Sequence, residues 1–220
     1  MDIIINVVEF FFHIDKHLNV IIQNCGLWSY AILFAIIFAE TGLVITPFLP
    51  GDSLLFAVGA LAAAGSLDAT WVFFILASAA IIGDSANYAV GKFFGTALIE
   101  KTGSRFLKKE YIGRTHKFFE KYGGKTIVLA RFVPIIRTFA PFVAGVGKMS
   151  YPYFFTYNVV GGILWVAIFV FGGFFFGNLP FVRGNFSFVI LAIVIISILP
   201  GVIEVLKHEK RKKDRVLWKP

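Results

Sequence analysis

Cysteine is nearly missing from this chain. Cys25 stands alone, so neither an intramolecular disulfide nor a cysteine metal cluster is available, and its thiol reads as an inert packing group. Charge is also scarce: 15% of residues are Asp, Glu, Lys or Arg, where a soluble domain carries about 25%, which argues against an ordinary soluble surface. The histidines, His13, His17, His116 and His208, lie outside the apolar runs and form no ligand or acid–base cluster. Neither Gly-x-Ser-x-Gly nor His-Glu-x-x-His occurs. Gly124-Lys125-Thr126 imitates the end of a phosphate-binding loop, but Phe119 stands where the first glycine belongs and no strand precedes it. Carboxylates without a nucleophile or metal set argue against an enzyme, and no cofactor or metal is expected.

What is abundant is apolar sequence. Hydrophobic residues make up 58% of the chain, and the mean hydropathy of +0.80 lies far on the membrane side. Long apolar runs with short polar breaks predict an all-α polytopic membrane protein built as one compact bundle. The net charge of +8 is unevenly placed, in Lys92–Lys125 and Lys207–Lys219. Basic blocks flanking apolar spans mark cytoplasmic loops, which favours this reading over a nucleic-acid partner and places the C-terminus in the cytoplasm.

Residues 1–22 mix apolar and charged residues at helical spacing and read as an interfacial or bundle-capping helix; Asp2 and Glu9 replace the basic cluster of a cleavable signal. Residues 27–91 form a first half. Leu27–Ala39 runs into Glu40, then Pro47, Pro50 and Gly51 break the chain before Asp52, and each apolar piece is short of the ~20 residues a span needs. A re-entrant hairpin fits. After the loop Gly65–Thr70, Trp71–Val90 is a full span. Residues 92–125 are the basic cytoplasmic segment, with helical character over Arg105–Lys121. Residues 126–177 form a second half. Thr126–Gly147 carries Arg131, Pro134, Arg137 and Pro141, and Tyr151–Gly177 spans; a short loop Asn178–Asn185, a last span at 186–206 and a basic tail at 207–220 follow. Counting sides back from the tail puts both ends of Thr126–Gly147 on the inner face, so this segment is a second hairpin broken at its prolines. Gly91-Lys-Phe-Phe-Gly95 and Gly173-Phe-Phe-Phe-Gly177 match at corresponding places. The halves therefore read as an inverted repeat, the architecture of many transporters.

Glu40, Asp52, Arg131 and Arg137 stand inside apolar sequence. A charge at mid-membrane costs at least ~2.5–3.5 kcal/mol, and such residues usually line a substrate or ion path, although structural pairs tying hairpins together are the competing reading. Arg131 and Arg137 flank Pro134; a guanidinium stays protonated and suits phosphate, and helix N-termini at the break add donors. An anionic, phosphate-bearing substrate follows. Glu40 and Asp52, set between burial and neighbouring arginines, are the candidates for proton coupling. Asp84 is an accessory candidate, with a plain bond to Tyr88 or a backbone donor as the alternative, and Asn158 reads first as an interhelical hydrogen bond and only second as a ligand contact.

Taken together, Glu40-Thr-Gly, Pro47-Phe-Leu-Pro-Gly-Asp52-Ser-Leu-Leu, Gly83-Asp84 with Asn87-Tyr88 and Gly91, Arg131-Phe-Val-Pro-Ile-Ile-Arg137-Thr-Phe-Ala-Pro, Ala144-Gly145, Tyr157-Asn158 through Trp165, and Leu199-Pro-Gly-Val-Ile-Glu204 resemble the bacterial DedA family of SNARE-associated, or VTT-domain, proteins. The resemblance covers nearly the whole chain and implies a single such domain over 1–220. It also implies a place in the bacterial inner membrane and transport or scrambling of lipids. For bacterial members it implies handling of undecaprenyl phosphate, the recycled carrier lipid, in dependence on the proton motive force. The family's essential acids fall on Glu40 and Asp52 and its essential arginines on Arg131 and Arg137. Partners are then a polyprenyl phosphate lipid, protons and the bilayer, with a homo-oligomer left open. A proton-coupled ion or drug transporter and a structural or regulatory membrane protein are the rival readings.

Overall fold

The computed structural model describes residues 25–43, 51–102 and 123–196, apart from 187 and 194. The expected helix over 1–22, the breaks at Pro47 and Pro50, most of the basic segment and the tail lie outside the described residues. Within them the elements are helices: α1 (Trp28–Gly42), α2 (Gly51–Ala63), α3 (Ala69–Thr102), α4 (Lys125–Ala130), α5 (Pro134–Val146), α6 (Tyr151–Phe176) and α7 (Pro180–Gly184).

Local chemistry explains most of the ends. α1 has no proline and meets its first glycine at Gly42, after which Leu43 turns extended while its N–H still bonds to the Ala39 carbonyl. Gly65 takes φ +82° in the turn after α2, a conformation that costs glycine nothing. Asp68 then opens α3 by accepting the N–H groups of Thr70 (2.8 Å) and Trp71 (3.0 Å), the N-cap role suited to a short carboxylate. α3 continues well past the expected Val90, to Thr102.

The break in the second half is local. Val133 is extended, with φ −124° and ψ 105°, and Pro134 occupies the first turn of α5. The proline ring excludes helical geometry from the residue before it and is itself suited to a helix start. Pro141, expected as a second break, is instead inside α5. A proline within a helix removes one hydrogen bond and bends the axis without reversing the chain, and neighbouring helices tolerate this where the segment is buried in protein. Asn178–Asn185, expected as loop, contains the short helix α7, opened by Pro180.

α2 is the centre of the bundle, with every residue from Gly51 to Ala62 buried. It packs chiefly on α6, while α5 packs chiefly on α3; α1 lies on α3 and α4 on α6. Each half therefore lays its first short limb on its own long helix and its second on the long helix of the other half. Both exchanged crossings are glycine-to-carbonyl contacts. A Cβ on Gly59 would strike the Val170 carbonyl and one on Gly173 the Phe56 carbonyl; on Gly145 it would strike the Tyr88 carbonyl and on Gly91 the Phe142 carbonyl. Backbones this close are how small residues bind helices together in lipid, where burial of apolar surface is not a driving force.

Two stretches, Ala69–Phe94 and Tyr151–Phe176, are long and apolar enough to cross a bilayer. Phe74, Ile168 and Phe175 point outward on them, whereas Glu40, Asp52, Asp84, Asn87, Arg131, Arg137 and Asn158 are all buried. Apolar outside and ionised inside reverses the soluble pattern and fits a lipid surround.

Candidate functional site

The broken segments bring their charges together. Glu40 lies in the last turn of α1, Asp52 in the first turn of α2 and Arg137 in the first turn of α5. Arg137 forks between the two acids: Nη1 donates to Asp52 Oδ1 at 2.7 Å and Nη2 donates to Glu40 Oε1. The Gly51 N–H at the start of α2 also reaches Glu40 Oε1, at 3.3 Å, so the α2 N-terminus favours negative charge on both carboxylates, against the opposing dipole of α1 at Glu40. Trp165 of α6 completes this group. Its indole N–H donates to Asp52 Oδ1 at 2.8 Å, and the Arg137 guanidinium lies 4.5 Å from its ring centre, a cation–π contact strengthened by loss of water.

Arg131, in the break between α4 and α5, forms a second group. Its Nη2 donates to Asp84 Oδ2 at 2.5 Å and to Asn158 Oδ1. Asp84 thus pairs with Arg131; the Tyr88 hydroxyl that was its alternative partner donates instead to the Met149 carbonyl. The Asn158 amide donates to the Ile81 carbonyl (3.0 Å) and to Ser85 Oγ (3.3 Å), so it both ties α6 to α3 and holds the arginine. Gly161 and Gly162 make room: a Cβ on either would come within 3.1 Å of Arg131 Cδ or 3.4 Å of its Nη2. Between the groups, the Asn87 amide of α3 donates to the Thr41 carbonyl (3.2 Å) and the Thr138 carbonyl (2.7 Å), linking α1 to α5.

Two properties of this arrangement carry chemistry. The first is incomplete satisfaction. Arg131 Nε and Nη1, Arg137 Nε, Glu40 Oε2, Asp84 Oδ1 and Asn87 Oδ1 are buried without a hydrogen-bond partner among the described residues. Such atoms are costly unless a ligand, proton or water meets them. The second is imbalance. Among the described residues, Glu40, Asp52 and Asp84 face Arg131 and Arg137, three carboxylates against two guanidiniums.

The four charged residues expected at the site are therefore buried in it with Asp84 and Asn158, and Gly51 starts a helix there. Pro134 sets the break that carries Arg131, and Pro141 contributes no break. Trp165 and Asn87 entered the sequence reading only within the motifs that carry the resemblance, with no role at the site. A signal existed for Trp165: tryptophan normally gathers at the membrane–water interface, and this one stands in the middle of a span.

The sequence pattern of the VTT domain matches residues 49–175, which takes in Asp52, Asp84, Arg131, Arg137, Asn158 and Trp165. The chain is 51% identical to Protein DedA of Escherichia coli K12 over 96% of its own length and 97% of that protein's. It belongs to the DedA family of VTT-domain membrane proteins. An uncharacterized membrane protein of Mycobacterium leprae is 47% identical over 81% of each chain, and the inner membrane protein YqjA of Escherichia coli K12 is 34% identical over 69% of each. No solved structure matches. With its apolar helices, family membership makes this a bacterial inner-membrane protein.

One glycine of this DedA-family site is placed by the charge it faces. A Cβ on Gly51 would overlap the Glu40 carboxylate. Gly51→Ala is expected to push Glu40 off both Arg137 and the α2 N-terminus and to lower stability by about 1–3 kcal/mol, the usual cost of overpacking. Thermal unfolding in detergent checks this; an unfolding temperature equal to that of the native chain refutes the placement.

Proposed function

We propose that this protein is a membrane lipid transporter that moves a polyprenyl phosphate, undecaprenyl phosphate in the carrier-lipid cycle, across the inner membrane in dependence on the proton motive force. The observation that carries this reading is the buried set of two arginines and three carboxylates, with donors and acceptors left over on both sides of the balance.

The short limbs support a polytopic inverted repeat with two re-entrant hairpins. α1 and α2 have 15 and 13 residues, about 20 Å each at 1.5 Å per residue, well short of a ~30 Å hydrocarbon core. α4 and α5 are shorter still, at 6 and 13 residues, with the chain broken between them. The exchanged packing of α2 on α6 and α5 on α3, with a glycine on each helix of both crossings, is what an inversion-related pair of halves produces. In this reading the second hairpin enters from the cytoplasm, where the basic segment and C-terminal tail lie, and the first enters from the opposite face.

The geometry then couples proton to substrate by competition. In the resting site Arg137 is held by Glu40 and Asp52, and Arg131 by Asp84 and Asn158. Three negative charges against two positive leave one in excess, and an unpaired buried charge is expensive. One proton on an unpartnered carboxylate oxygen, Glu40 Oε2 or Asp84 Oδ1, balances the site. A phosphate can take the arginines only when more carboxylate charge is protonated away, so phosphate arrives with protons. Arg131 Nε and Nη1 are the first donors open to it, and the isoprenyl tail stays in lipid. Moving the phosphate inward against an inside-negative potential costs ~2.3 kcal/mol per charge per 100 mV, which accompanying protons offset. No covalent step is involved.

The test is direct. Purified protein in proteoliposomes is expected to move a polyprenyl phosphate between leaflets faster than protein-free vesicles by about tenfold or more, with further acceleration by a pH gradient. Movement at the protein-free rate would overturn the proposal. A short-chain isoprenyl phosphate serves as competitor: a proton-coupled ion or drug transporter, which shares the acids, is not inhibited by it.

A further inference from the structure

One face of α6 reaches both arginines. Asn158, Gly161, Gly162 and Trp165 are buried on it, at the spacing of three and four that stacks side chains on one side of a helix. Asn158 accepts from Arg131, the glycines leave room for that side chain, and Trp165 lies against Arg137. α6 does this without charge, since no Asp, Glu, Lys, Arg or His occurs between Tyr151 and Phe176. The carboxylates that pair with the arginines compete with an anion for the same guanidinium edges. Neutral contacts from α6 do not.

Trp165 makes two contacts with different parts of one ring system. Its N–H donates to Asp52 Oδ1 at 2.8 Å, the same oxygen that Arg137 Nη1 reaches at 2.7 Å. Its face lies 4.5 Å from the guanidinium carbon of Arg137, which leaves the N–H edge of the fork free to donate in its own plane. The side chain is fully buried, and an indole N–H can only donate. Among the described residues, the charged groups paired around Asp52 are Arg137 of α5 and, through it, Glu40 of α1; Asp84 of α3 pairs with Arg131.

Turning Arg137 toward another anion takes its guanidinium from both acids. Glu40 keeps the Gly51 N–H, and Asp52 keeps the indole N–H. A buried carboxylate with no donor left is costly, so each acid has one neutral donor in reserve.

We propose that Trp165 is a positioning residue for the transfer of Arg137 from carboxylate to phosphate: its N–H keeps a donor on Asp52 after the arginine leaves, and its ring holds the guanidinium in place for the phosphate. This rests on the reading of the site as a carrier of lipid phosphate and adds the residue that lets the exchange occur without stranding Asp52.

Binding of farnesyl phosphate to the full chain in detergent, measured by titration calorimetry over a pH series, tests both contacts with substitutions that keep the shape of the side chain. Benzothienylalanine at position 165 puts sulfur in place of the N–H. It is expected to bind farnesyl phosphate about tenfold more weakly at mildly alkaline pH, the worth of one hydrogen bond to a charged group. The deficit should close as pH falls, because a protonated Asp52 no longer needs the donor. Protonation of the phosphate itself is common to both chains and cancels in the ratio. Trp165→Phe, which also lacks the N–H, is expected to show the same closing deficit. Tetrafluorotryptophan keeps the N–H but drains the ring face, and is expected to weaken binding about tenfold at every pH, since the arginine stays charged throughout. Native affinity in the benzothienylalanine chain, or a deficit that does not change with pH, overturns the role of the N–H, and native affinity in the fluorinated chain overturns that of the ring; in both cases the carrier reading stands. Failure of the native chain to bind farnesyl phosphate overturns the carrier reading and this role with it.

Discussion

Arg137→Ala is expected to destabilise the fold by about 3–5 kcal/mol and to abolish lipid movement. Arg137 is the shared counter-charge of Glu40 and Asp52, and it also covers the face of Trp165. Its removal strands two buried carboxylates, and removing one partner of a buried pair costs far more than the pair was worth. The sign with pH follows. The stranded acids are relieved by taking up protons, so the deficit against the native chain shrinks as pH falls and is largest at neutral and higher pH. Thermal unfolding in detergent over a pH series measures this. The combination Arg137→Ala/Glu40→Gln/Asp52→Asn removes the stranded charge and is expected to recover most of the stability but none of the transport. Native-like unfolding of the single variant at neutral pH would show that the pairs do not hold the broken segments together. Normal transport by the triple variant would end the role of these residues in carrying phosphate.

Glu40→Gln makes the complementary case. Gln keeps the shape of the side chain, can still accept from Arg137 and Gly51, and removes the excess negative charge: two carboxylates then face two guanidiniums. The chain is expected to fold and accumulate normally. Transport should lose its acceleration by a pH gradient, because the site is balanced without its proton. One charge no longer compensated across 100 mV is ~2.3 kcal/mol, or about fifty-fold in rate. Rates with and without the gradient, set beside abundance in the membrane, decide the matter. A purely structural role predicts the opposite pattern, reduced abundance with unchanged transport per molecule, and that outcome would retire Glu40 as a coupling residue.

Legibility in the sequence tracks the range of the forces involved. The break ahead of Pro134 was readable because the proline ring acts on its immediate neighbour Val133. The two long apolar helices were readable because length and hydropathy are sums along the chain. Pro141 misled for a related reason: by itself a proline signals a break, and only the packing of α5 against α3 keeps the helix intact around it. The exchange of limbs between halves was foreshadowed by Gly91 and Gly173, but not the carbonyls those glycines would meet.

The sequence by itself determined that this chain is an α-helical membrane protein of the DedA family and that Glu40, Asp52, Arg131 and Arg137 stand in broken apolar segments. Composition, hydropathy and local breaks are properties of residues and their neighbours. Only the tertiary structure decided which acid meets which arginine. Arg137 takes Glu40 and Asp52 from 97 and 85 positions away; Arg131 takes Asp84 and Asn158; and Trp165 and Asn87 join because α6 and α3 pass beside them. Ion pairing is set by distance in space, and in a bundle closed by glycine-to-carbonyl contacts that distance is fixed by packing between halves, not by separation along the chain.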